Sequence, residues 1–73
     1  MNEKITQYKE ELIYLEAWFK DYDSKVIQYQ RHIRTRGTSD INIIDLDNLA
    51  FCNAERIKEL KMLIQSEYLK MSE

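Results

Sequence analysis

Six carboxylates lie in close pairs along this chain, Glu10–Glu11, Asp21–Asp23 and Asp45–Asp47, and one imidazole, His32, sits among arginines. A carboxylate pair can do acid–base work when one member is forced to hold its proton, and a histidine can serve as base or ligand. Neither has company here. No Glu-x-x-His motif accompanies the acids, as a di-iron bundle site would require. Cys52 and His32 are the only cysteine and histidine, too few for a zinc site, and a lone cysteine forms no internal disulfide. One glycine rules out a glycine-rich phosphate loop. The carboxylate pairs read as parts of a solvated face and Cys52 as a partly buried, inert thiol. His32 reads as solvent-facing, with no serine or cysteine nucleophile in a recognisable pattern around it. The expectation is a non-enzymatic chain with no catalytic residues, metal or cofactor.

A second chemistry is electrostatic. The stretch RHIRTRGTSD carries Arg31, Arg34 and Arg36, and with Lys25 it gives four fixed positive charges between Ser24 and Ser39 with no acid among them. These four residues are the candidate contacts to nucleic-acid phosphates. A structural role competes with that one. Cations in the last turns of a helix complement the negative end of its dipole, and Gly37 is the expected left-handed stop. Beyond it Asn42 reads as an N-cap, Asp45 as the third helical residue, and Ile41 with Leu46 as a hydrophobic staple. Asp40, Asp45 and Asp47 would offset the arginines. The overall charge of −2, from 11 basic and 13 acidic residues, argues against a dedicated nucleic-acid or membrane-surface binder.

The elements that position these residues follow from composition and periodicity. With no proline, one glycine and 44% apolar residues in 73, the chain is built for long helices. Ile5, Tyr8, Leu12, Leu15, Phe19, Tyr22, Val26, Tyr29 and Ile33 recur at alternating steps of three and four, the seam of a heptad pattern. Ile43, Leu46, Ala50, Asn53, Ile57, Leu60, Ile64 and Met71 continue it, with Glu67 as a break and Leu49, Ala54, Leu63 and Tyr68 on the flanks. The spacing predicts helix one over about 3–36, capped by Asn2, a turn over 37–41 and helix two over about 42–71. Folded there, Ile33 meets Ile43, Val26 meets Ala50, Phe19 meets Ile57, Leu12 meets Ile64 and Ile5 meets Met71. The fold class is an all-α, antiparallel two-helix hairpin with arms of about 50 Å.

Such a hairpin has one internal interface, and the chain holds more large apolar residues than it can cover. Ile13, Tyr14, Trp18, Phe51, Met62 and Leu63 are the candidate interface residues. They predict association of two hairpins into a four-helix bundle, with a foreign protein partner as the alternative. Asn53, on the seam opposite Tyr22 or Asp23, would fix register or bond the Tyr22 hydroxyl.

The segment LEAWFKDYDSKVIQYQR, followed after a gap by AERIKELKMLI, resembles a group of short bacteriophage and prophage proteins. Their Asp-Tyr-x-Val-Ile-Lys-like stretch corresponds to Asp21, Tyr22, Lys25, Val26 and Ile27, and their spaced arginines before Glu-Leu to Arg56, Ile57, Glu59 and Leu60. This sequence departs from theirs by an extra residue around Asp23–Ser24 and a longer middle. The resemblance implies a small helical accessory protein of a phage or mobile element, and supplies no functional residues. No apolar run approaches the roughly 18 residues of a membrane span, and the charged N-terminus is unlike a secretory signal, so a cytoplasmic protein is expected. The leading expectation is a homodimeric protein-interaction or assembly module. Its alternatives are a nucleic-acid-binding regulator using the basic tip, and a small phage-encoded inhibitor docked on a host protein.

Overall fold

The computed structural model describes residues 2–72 and is an all-α hairpin of two long helices, α1 (Glu3–Arg36) and α2 (Ile43–Met71). Its Cα trace measures 59 × 16 × 12 Å. Each helix begins and ends on the chemistry its sequence supplies. The Asn2 side chain accepts from the backbone N–H of Lys4 and Ile5 at 2.9 and 3.3 Å, meeting two of the donors a helix start leaves open. Asn42 does the same for α2, accepting from the Asp45 N–H at 3.1 Å. Gly37 ends α1 at φ 80, and its N–H bonds the Ile33 carbonyl.

Between these helices the seam is thin. Ile5 and Leu15 on α1 and Ala50 and Leu60 on α2 are the buried apolar residues among those described, and of these Leu60 alone is fully buried. Tyr8, Leu12, Phe19, Tyr22, Val26 and Tyr29 flank them half-buried, as do Ile43, Leu46, Asn53, Ile57 and Ile64 from α2. The alternation of threes and fours therefore marks the real contact face of both helices.

At its two ends the seam differs from the expected pairing. Ile33 is 40% exposed and Met71 59%, so neither closes the core as a partner of Ile43 or Ile5. Glu67, the break in the pattern, instead faces inward beside α1, its side chain only 12% exposed. It accepts a hydrogen bond from Asn2 Nδ2 at 3.1 Å. Asn53 sits half-buried on the seam, but the Tyr22 hydroxyl donates to Asp47 Oδ1 at 2.9 Å. An ionised carboxylate is a stronger acceptor than an amide, and Asp47 lies within reach on the rim.

Candidate interaction surface

The hairpin is clamped along its length by polar bridges between the arms, and these decide which surfaces stay free. Near the open end, Asn2 joins Glu67, and Lys9 Nζ donates to Tyr68 Oη at 2.6 Å. That ammonium is 5.2 Å from the Tyr68 ring centroid, which places it off the hydroxyl end of the ring and not over its face. In the middle, Arg56 Nε donates to Glu11 Oε2 at 2.9 Å across the arms while its Nη1 meets Glu59 at 3.0 Å. These bonds hold the guanidinium above its ordinary value, with Glu11 the larger cause. Toward the tip, Tyr22 joins Asp47, and that hydrogen bond, with some desolvation and the nearby negative charge, raises the phenol above its usual 10.0.

The carboxylates singled out in sequence are thus largely structural. Glu11 and Asp47 bind the opposite arm, Asp21 pairs with Lys25 one turn along at 3.3 Å, and Asp45 lies in the first turn of α2. Among the described residues no three His, Cys, Asp or Glu side chains come together as ligands.

His32 and Cys52 differ from expectation. His32 is half-buried, not solvent-facing, and its Nδ1 lies 3.0 Å from Ser39 Oγ. Sequence reading missed this pair because the reversal of chain direction after Gly37 brings together residues seven apart. The Ser39 hydroxyl also accepts from the Ile41 N–H at 3.2 Å. Its geometry is that of a hydroxyl closing a turn, with the imidazole packed against it. Cys52 is exposed, because it lies on the flank of α2 away from the seam.

The outward apolar residues are conspicuous. Ile13, Tyr14, Phe51 and Met62 are 68, 70, 69 and 71% exposed. Trp18 and Leu63 are half-buried. Trp18 is covered by its own helix: its ring stacks on Tyr22 at 5.5 Å and 16° and meets Phe19 edge-on at 5.0 Å. Beyond these six, Ile27, Ile44, Leu49 and Leu69 also face outward. Leu69 was not singled out from the sequence, although its position seven residues after Met62 puts it on the same outward face.

At the tip, Arg31, Arg34 and Arg36 are exposed and, among the described residues, form no salt bridge, whereas Lys25 is engaged by Asp21. Arg31 and Arg34 are three apart and share a face, and Arg36, two positions on, points about 200° round the helix from Arg34. The surface hollows are open grooves. One of them is lined by Asp45, Asn48, Leu49 and Cys52, all from α2. No helix among the described residues is long and apolar enough to cross a membrane.

In comparisons with known proteins, no family model matches the chain, and no curated protein or solved structure matches it.

Proposed function

We propose that this chain is a non-enzymatic protein-interaction or assembly module that works as a homo-oligomer, most simply a dimer of hairpins. One observation carries the reading. Four large apolar side chains, Ile13, Tyr14, Phe51 and Met62, remain mostly in water, while the buried core among the described residues is four residues. Burying one large apolar side chain is worth about 1.5–3 kcal/mol, so covering such residues contributes stability that a chain of this size lacks by itself. The similarity of Asp21–Ile27 and Arg56–Leu60 to short phage proteins adds an accessory role in a mobile element to the proposal. Mass measured by light scattering across a concentration series tests it. A dimer that dissociates on dilution supports the reading, and a monomer at every concentration reached overturns it. A monomer would direct the search to a foreign protein docked on the same residues, as an inhibitor would be.

The exposed Arg31, Arg34 and Arg36, without a salt bridge among the described residues, favour a second reading, phosphate contact at the tip. It requires binding to DNA or RNA that falls steeply with salt and with joint neutralisation of the three arginines. Absence of a shift at low salt removes it.

A further inference from the structure

The unpartnered apolar residues of α2 are ordered. Ile44, Phe51, Met62 and Leu69 follow one another at 7, 11 and 7 residues, close to two, three and two helical turns. They therefore line one stripe, and with exposures of 70, 69, 71 and 61% it is turned away from α1. Asn48, Glu55, Lys58 and Gln65 fill the places between them. Together the eight residues recur at alternating steps of four and three, the spacing of a coiled-coil seam. Helix α2 thus carries two seams. One faces α1 and the other faces water.

The outer seam reads alike from either end. About a point between Arg56 and Ile57, Ile44 mirrors Leu69, Asn48 mirrors Gln65, Phe51 mirrors Met62, and Glu55 mirrors Lys58. Apolar answers apolar, amide answers amide, and acid answers base. A two-fold interface needs this property, because one patch must complement itself when turned around. The centre of the mirror is also the centre of α2 (Ile43–Met71), so two copies laid antiparallel would overlap along the whole helix.

We propose that the occupant of this stripe is the same stripe of a second copy, packed antiparallel about a two-fold axis at Arg56–Ile57. The proposal rests on the homo-oligomer reading and specifies its face and direction. Phe51 of each copy lies against Met62 of the other, Ile44 against Leu69, and Glu55 against Lys58. Within one chain, Lys58 Nζ is 3.7 Å from Glu55 Oε1, with both side chains largely exposed, a loose pairing that is free to exchange across the axis. Beside the stripe, Asp45 falls near Ser66 of the second copy, Asp47 near Tyr68, Cys52 near Glu59 and Ala54 near Lys61, so no like charges meet. Parallel packing fails the same test. It would set Glu55 on Glu55 and Lys58 on Lys58, and like charges face to face oppose association.

Charge reversal tests both face and direction. K58E and E55K each make the centre of the interface single-signed, and each is expected to weaken the dimer about tenfold or more. An equimolar mixture of the two variants restores opposite charges at both central contacts, so mixed dimers form at wild-type concentrations. Native mass spectrometry separates mixed from pure dimers, and circular dichroism checks that both variants keep their helices, as substitution at exposed positions should allow. A wild type that stays monomeric overturns this pairing and the homo-oligomer reading together. A dimer that neither reversal weakens, or that mixing fails to restore, overturns the pairing alone.

Discussion

Asn2 performs two tasks with one side chain. Its oxygen caps α1 through Lys4 and Ile5, while its nitrogen donates to Glu67 on α2. Replacement by alanine is expected to remove about 1–2 kcal/mol, the cost of a lost cap together with a lost cross-arm bond. Urea unfolding of N2A measures it, and a loss of less than a few tenths would mean that the cap is dispensable. Glu67 adds a pH signature. The Asn2 hydrogen bond first, then the positive charges of Lys70 and Lys4, holds its carboxyl below its ordinary 4.5 against some desolvation. With the folded value depressed, the unfolded chain takes up the proton first. The contribution of Glu67 is therefore full above 4.5 and fades as pH falls through the folded value. Acidification should destabilise the wild type more than E67Q, and equal slopes in the two acid titrations of stability would contradict the assignment. The sequence placed the cap at Asn2 correctly from residue type alone. It gave no sign that Glu67, a charge interrupting an apolar series, would be the cap's partner, because that depends on where the arms end relative to each other.

At the scale of the elements, local chemistry and periodicity made the fold legible, and long-range register did not. Asn42, Gly37 and the alternating seam each specify their own neighbourhood, so the bounds of α1 and α2 follow from them. Which residue of one arm meets which of the other depends on side-chain reach, and there Tyr22 found Asp47 and not Asn53. The candidate surface was legible in part: Phe51 and Met62 face outward as their offset from the seam requires, whereas Trp18 is sheltered by Tyr22 and Phe19 on its own helix. Two substitutions probe the elements directly. At Gly37 an added Cβ meets no atom within 4 Å, so G37A isolates the backbone penalty of φ 80 for an L-residue, about 1–2 kcal/mol. Leu60 lies on the inner seam of α2 with no exposed surface, and L60A should cost about 2–5 kcal/mol, enough to unfold much of so small a domain. Unfolding of G37A and L60A followed by circular dichroism should rank them in that order. A mild L60A would show that the seam is not what holds the arms together.

The whole molecule is a rod. Its Cα radius of gyration is 17.0 Å, where a globule of this length would have about 11 Å. A rod with so narrow a section has little interior, so the surface that could complete its core runs along its sides and not at its ends. The outer seam of α2 spans about 38 Å from Ile44 to Leu69 at 1.5 Å per residue, most of the 59 Å length. Two rods joined along it about the centre of α2, each tip projecting roughly 12 Å past the other's open end, form a thicker particle only modestly longer than one hairpin. Joining at the basic tips would instead produce a particle about twice as long and would bring Arg31, Arg34 and Arg36 of two copies together, which like-charge repulsion opposes. Small-angle scattering on the dimer distinguishes the two geometries without any substitution. The expected result is a doubled mass with a maximum dimension of about 70 Å, far short of two hairpins end to end, and a clear increase in the cross-sectional radius. A dimer that lengthens at constant cross-section would place the contact at the ends of the hairpin, and the two seams of α2 would then have to be explained by some other covering.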